Sequence, residues 1–545
     1  MKKWLALILV SALMMSVVAG CAAGTTGTTG TTGTSAAETT KTAATTAAGE
    51  ITAAAGTTTK TTLNVSTYSD PQTLNPYQID SRNGIRIYNQ VYERLINRDA
   101  TKPGSFVGIL AESWKIADDG MSVTFNLRKG VKFHNGEEMK ASDVVFSFKT
   151  MATFSQVTAT ADFLDFDNVK ATDDYTVVIP LKYQCSMVMT QLAAANMVIV
   201  NEKWWTASGD KVSSTTCGTN KMMIKDGDYQ LNNQITFTRF DGYWGTPSAL
   251  ETIIMRVIPE STQAAIELET GSLDLILDVA ATDYQRIDES DTMQLMKFDS
   301  NVLDVLNFNV TDPIFGNVKV RQAMALAMNR DDIEAGVYMG WTRVPFAPIA
   351  PEVFAYTNEF EGTNWPYQYD VAKAKALLTE AGYPAGFTFD CYVDTDANRI
   401  KTAEILKNEF AEVGLTMNIV NIEGTALNDL LAKGKAPCWL YGIAAATSNP
   451  DSALFVRYSK VNAKDGGSNF SRYTNDEFSK CLDDARLTFD AAEQEALYKK
   501  AQEIWIGEVP AIPYNVRMNV VAGAKNLHGV VGYGEAYLLY DCYFS

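Results

Sequence analysis

Between Ala22 and about Thr62 the chain is built from threonine, alanine and glycine, with almost no large apolar side chain, and at Leu63 the composition changes abruptly. Such a segment cannot bury enough surface to offset its ordering entropy, so it reads as a flexible tether, and every packed core has to come from the residues that follow. As a coil of about 40 residues it spans roughly 35 Å. From Leu63 to the C-terminus, helix-like and strand-like apolar patterns alternate without a second linker or a further membrane-length apolar run. The chain has 545 residues, too many for one core, and two or three lobes are expected.

The N-terminus places Lys2 and Lys3 before an apolar run from Trp4 to Val18, closed by Val18-Ala19-Gly20-Cys21. The run is too short and too lysine-flanked for a good spanning helix. The arrangement resembles a bacterial lipoprotein signal, in which the cysteine thiol receives a diacylglyceryl chain and becomes the new N-terminus. Residues 1–20 are therefore expected to be a signal peptide, Cys21 the lipidation site and 21–62 the tether, with the rest working outside the cytoplasm on a lipid anchor. The formal charge is -18, and loss of the two signal lysines makes it more negative still. Nucleic acid and anionic headgroups are poor electrostatic partners for such a surface.

Seven cysteines lie at 21, 185, 217, 391, 438, 481 and 542, without a CxxC pair or a short-spaced Cys/His cluster of zinc-site type. In an oxidising compartment Cys185 with Cys217, or Cys438 with Cys481, are the pairs to check first; buried free thiols are the alternative. Only two histidines exist, His134 and His528, which leaves little from which to build a histidine triad or a metal centre. His134, in a turn-like FHNGE stretch, reads as structural. No cofactor and no metal is expected.

Val123, Phe125 and Leu127 alternate with polar residues, the period of a half-buried strand, and Asn135-Gly136 supplies a turn. Ser142 or Asp143 is the expected cap of a helix with Val144, Val145, Phe148 and Met151 on its apolar face. Further stripes occur at Val320, Ala323, Met324, Ala327 and Met328, at Val371, Ala374, Leu377, Leu378 and Ala381 before Gly382, and at Ala403, Leu406, Phe410 and Val413 before Gly414. Leu415, Met417 and Ile419 then alternate as a strand. Helices and strands in this order argue for α/β lobes with central sheets.

The stretch LAESWKIADDGMSVTFNLRKGVKFHNGEEMKASDVVFSFK, from Leu110 to Lys149, resembles the family 5 extracytoplasmic solute-binding proteins of peptide and nickel ABC importers. Further matches follow in family order: FDGYW at Phe240–Trp244, ELETGSLDLI at Glu267–Ile276, VKVRQAMALAMNRDDI at Val318–Ile333, YDVAKAKALLTEAGY at Tyr369–Tyr383 and VPAIPYN at Val509–Asn515. These motifs read as packing elements, with Asn329 to Asp332 exposed at a helix end and the DGYW aromatics as core anchors. The resemblance implies an α/β fold, a two-lobe periplasmic-binding-protein clamp with an extra domain and a discontinuous first lobe. On this chain lobe I takes 63–97, 217–300 and 515–545, the extra domain 98–216, and lobe II 301–514.

The family's mechanism implies a monomer without bond chemistry. Two lobes close on a small solute, with peptides as the expected class, and a membrane permease recognises the closed form. The first-lobe loop expected to face the ligand holds Asp80, Ser81 and Arg82. Across the cleft stands Tyr441-Gly442-Ile443-Ala444-Ala445-Ala446, followed by Asp451, with Trp439 and Tyr441 as stacking faces or lobe packing, and Trp341 likewise. Arg399 lies close to where dipeptide binders place an arginine for the ligand carboxylate.

Two departures from the family pattern stand out. Ile443 and Ala446 occupy the positions where peptide binders carry a tryptophan and the aspartate that pairs with the peptide ammonium, so that clamp is missing unless Asp80 or Asp451 substitutes. Gly424 replaces an aromatic and leaves space. A non-peptide solute is therefore the alternative: an oligosaccharide, an opine-like conjugate or a chelated metal. A carboxylate-based surface hydrolase is the alternative of another class, although 64 acidic residues make some close pair nearly inevitable.

Overall fold

The computed structural model describes residues 60–545, apart from 79–80, 100, 159, 446–447 and 534–535. The signal segment, Cys21 and most of the tether lie outside the described residues, as do Asp80 and Ala446. Thr62 already opens the first strand, and Lys60 Nζ lies 2.5 Å from Asp274.

The main sheet has eleven strands among the described residues. Thr252–Val257, Thr62–Thr67 and Leu275–Ile276 run parallel in one half, and Thr416–Asn421, Thr388–Val393 and Cys438–Ala444 run parallel in the other. Between these halves lie two long antiparallel strands, Met293–Phe308 and Ala511–Ala524. Each passes from one apolar core to another: Val521 belongs to a core that also holds Leu63, Val65 and Ile253, whereas Leu303, Val305, Ile512 and Val516 belong to a core with Cys391, Leu406 and Leu440. Parallel strands with helical crossovers and two buried faces make each half α/β. A four-stranded antiparallel sheet, built from Ala111–Ile116, Ser122–Leu127, Thr176–Pro180 and Lys170–Asp173, packs into the first core.

The local patterns explain these elements. Val123, Phe125 and Leu127 point inward from Ser122–Leu127. The Ala397–Glu412 helix buries Ala403, Leu406 and Phe410, and ends before Gly414, whose φ of 86° suits glycine and turns the chain into Thr416–Asn421. The Val371–Glu380 stripe is thinner than expected: Ala374 and Leu378 are buried, while Leu377 and Ala381 only pack at the margin. The expected cap at Ser142 or Asp143 is corrected to Lys140; the helix starts at Ala141, and Asp143 serves from its first turn by accepting the Lys140 amide at 2.9 Å.

Of the helix end expected to be exposed, Asp331 and Asp332 are, whereas Arg330 is buried. It is 8% exposed, lies 4.4 Å over the Trp365 ring, and donates to the Pro345 carbonyl. Arg321 of the same motif is buried too, and its guanidinium caps the carbonyls of Glu508 and Val509 at the end of Ala491–Glu508. The six described cysteines are unbridged and buried; Cys438 lies opposite Cys391 in the ladder, not against Cys481.

His134 is half-buried, with Nδ1 accepting from the Gly218 amide, so Nε2–H donates to the Asn220 carbonyl at 2.9 Å; desolvation of the ring lowers its pKa to about 4. Burial pushes several carboxyls the other way: Glu409 to about 8, Glu93 and Glu352 to about 7, and Asp451 to about 6. Unfolded, these acids titrate near pH 4, so across about pH 4–8 they make the folded state bind more protons and lose stability as pH rises. His134 works oppositely below about pH 6.5, and carboxylates held low by hydrogen bonds, such as Glu138, do so only at the acid end. The melting temperature should therefore be higher near pH 6 than near pH 8, and Glu409→Gln should flatten that decline in a pH series of thermal melts.

Candidate functional site

The crossing strands lose register between the two cores. Asp299 pairs with Met518 and Leu303 with Val516, so Ser300, Asn301 and Val302 stand opposite the single residue Arg517. A bulge of this kind bends the strand and re-aims side chains. Here it borders a cavity of about 180 Å³ lined by Arg82, Tyr284, Trp341, Asp396, Asn398 and Arg517. Through Arg82, Tyr284 and Met518–Val520 this cavity shares walls with another, of about 350 Å³, at the carboxyl ends of the first half's parallel strands. Open α/β sheets place ligands at such strand ends.

A buried charge cluster forms the floor. Asp304 is 2% exposed and receives Arg517 in fork geometry, Nε at 2.8 Å and Nη2 at 2.7 Å. Arg399 approaches the same carboxylate at 3.3 Å and also pairs with Asp394, and Asn515 donates to it at 3.1 Å. Burial opposes the charge on Arg517, but Asp304 outweighs it and raises the guanidinium pKa. A fork held on two N–H groups is fixed in direction.

Aromatic side chains face each other across the opening. The Tyr284 ring, from the helix Tyr284–Asp288 of the first half, lies 5.0 Å from the Trp341 ring of the second, and Lys297 Nζ stands 3.9 Å from the Trp341 centroid. In the first half, Arg86 is 1% exposed and grips Asp278 at 2.6 and 2.9 Å.

Residues 105–465, more than half of the chain, match the bacterial extracellular solute-binding proteins, family 5 (middle). The chain belongs to this family. It is 29% identical over 486 residues to heme-binding protein A of Haemophilus influenzae, covering 84% of this chain and 86% of that protein. It is 28% identical over 495 residues to the dipeptide-binding protein of Escherichia coli, covering 85% and 90%. The solved structure of HbpA2 from Haemophilus parasuis superposes with a TM-score of 0.80 at 27% identity, over 89% of this chain and all of that one. The fold is thus the periplasmic-binding-protein fold of family 5, whose members are extracytoplasmic solute-binding components of ABC importers. No helix among the described residues is long and apolar enough to cross a membrane.

In this family 5 chain the residues expected from sequence are spread over three environments. Ser81 caps the helix Arg82–Val91 by accepting the Gly84 amide, and Arg82, its first residue, lines both cavities. Arg399 sits behind Asp304, 8% exposed, against Gly442, whose place opposite Asp304 leaves room for the guanidinium; a Cβ there would meet Arg399 Nη2 at 2.8 Å. Tyr441 bonds Asn428 at 3.0 Å, Ile443 is buried, and Ala444 pairs with Val302 beside the register break. Trp439 is 1% exposed and packs with Leu427, Leu431 and Ala436, a core position. Asp451 is half-buried in the helix Pro450–Tyr458 at 3.3 Å from Arg486. Gly424 opens the helix Gly424–Ala432 with open space around its Cα.

Sequence reasoning missed Asp304, Tyr284, Asp396, Asn515 and Arg517. Asp304 left a signal, a carboxylate inside the apolar run Val302-Leu303-Asp304-Val305-Leu306, where an unpaired charge is untenable. Asp304→Ala would strip Arg517 of its fork partner beneath the cavity and leave Arg399 with Asp394 alone. It should cost about 3–5 kcal/mol of stability in urea unfolding, whereas Asn428→Ala, which frees one exposed tyrosine hydroxyl, should cost under about 1 kcal/mol.

Proposed function

We propose that this chain captures a peptide-like solute in the cavity between its two sheet halves, closes on it, and hands it unaltered to the permease of an ABC importer. The observation that carries this reading is the register break: two continuous strands join the cores, and they lose pairing where residues of both halves line one cavity. A few residues at the break can absorb the rotation of one half against the other, and a ligand touching both walls favours the closed state. The dipeptide-binding relative supports the peptide class. We assign 63–97, 217–300 and 515–545 to lobe I, 98–216 to the extra domain and 301–514 to lobe II. The protein acts as a monomer without cofactor, tethered through lipid on Cys21.

Isothermal titration against short-peptide pools, paired with small-angle scattering, tests this reading: binding should come with a smaller radius of gyration, and binding without compaction would remove the closing mechanism. Trp341→Ala should weaken binding by about 0.5–1.5 kcal/mol, the worth of one aromatic contact. Cys21→Ala should release the protein from the membrane fraction in cell fractionation.

A further inference from the structure

We infer that the extra domain is a clasp: its loop 184–187 holds lobe II in the closed clamp, and so raises solute affinity without touching the solute. The inference rests on the proposed lobes and on their closing over the cavity.

Among the described residues, none of 98–216 lines either cavity of the cleft, yet this part of the chain meets lobe II directly. The helix Asp476–Leu487 of lobe II stops at Thr488, so the carbonyls of Ala485, Arg486 and Leu487 have no later turn of that helix to bond. Loop 184–187 supplies a donor to each: Ser186 Oγ to Ala485, the Ser186 amide to Arg486 and Gln184 Nε2 to Leu487, all at 2.9 Å. Gln494, from the helix Ala491–Glu508, donates to Ser186 Oγ at 2.8 Å and to the Ala485 carbonyl at 2.9 Å, which ties the loop to a second helix of lobe II.

The loop itself is anchored on the other side. Cys185 and Met187, which flank Ser186, are buried in the core that holds Leu63 and Val65. Phe489, two residues past the helix, packs against that same core beside Gly120, where a Cβ would meet its ring at 2.6 Å. A second contact sets Gly104 against the Phe354 ring with no room for a side chain between them. Both contacts lead to the stretch that follows the strand Cys438–Ala444: Arg486 reaches Asp451 at 3.3 Å, and the Phe354 amide donates to the Ser448 carbonyl at 3.2 Å. Because 98–216 shares its core with lobe I, a rotation of the halves about the register break draws loop 184–187 away from the helix end and returns three carbonyls and an aromatic ring to water. The contact is made in a structure whose halves also meet at Tyr284 and Trp341, so it belongs with the closed cavity, and its free energy is a share of closure that the solute does not have to supply.

The test compares the mature protein with two variants. Ser186→Asp sets a carboxylate against the carbonyls of a helix C-terminus, where negative charge is unfavourable; Ser186→Thr keeps the hydroxyl. The aspartate variant should have a larger radius of gyration than the parent in small-angle scattering without solute, and should release a short-peptide pool roughly 10-fold faster, the worth of about one hydrogen bond. Amide exchange in the strands Ser122–Leu127 and Thr176–Pro180 should stay at the parent rate, which separates a lost clasp from a misfolded extra domain. The threonine variant should behave as the parent. An unchanged radius and release rate in Ser186→Asp, or an equal loss in Ser186→Thr, would overturn the inference. If exchange in those strands rises, Phe489→Ala takes the place of the aspartate variant and has to show the same pair of effects. If no peptide binds, the peptide reading of the cavity fails, while the scattering comparison still decides for or against the clasp.

Discussion

The antiparallel pairing of Met293–Phe308 with Ala511–Ala524 is the constraint on which the rest of the architecture depends. Seven residue pairs, Met293↔Ala524 to Asp299↔Met518, belong to the first half, and five, Leu303↔Val516 to Asn307↔Ala511, to the second. The ladder makes two cores into one sheet and leaves a short unpaired stretch between them. The strands are continuous through the break, and the unpaired stretch is confined to Ser300–Val302 and Arg517. The same break supplies the cavity with a side chain that a regular ladder would have pointed elsewhere.

Asp304 shows what the site demands of the core. A carboxylate at 2% exposure is costly to desolvate, and two guanidinium groups with an amide meet that demand without making the cluster a source of net stability. Its effect is orientation: the arginine that reaches into the cavity is held by partners that the strand register places beside it. Gly442 takes part through absence, since it lies opposite Asp304 and any Cβ would collide with Arg399.

Of the motifs that carry the family resemblance, VPAIPYN brings Asn515 to the cavity, while FDGYW and VKVRQ do structural work away from it. Tyr243 and Trp244 of FDGYW both donate to the buried Glu93, and Phe240 packs edge-on against His134. Arg321 of the VKVRQ motif closes a helix end with four backbone carbonyls as partners. These positions identify a fold because they hold cores together, and for the same reason they say little about the cargo.

Much of the fold was legible in the chain by itself. The stripe at Ala403, Leu406 and Phe410, its stop at Gly414 and the strand that follows are local facts of period and glycine placement that name α/β halves, and the motifs from Leu110 onward carry the resemblance to a family. The site was less legible. Arg82 and Trp341, both named from sequence, line the cavity, as do Arg517 and Tyr284, which were not, and Trp439 falls in a core. Asp304 and Arg517 are 213 residues apart, and a register break between strands from distant parts of the chain decides that they meet. Periodicity reports which face of an element is apolar, but ion pairing and cavity lining depend on which elements become neighbours, and only the tertiary structure decides that.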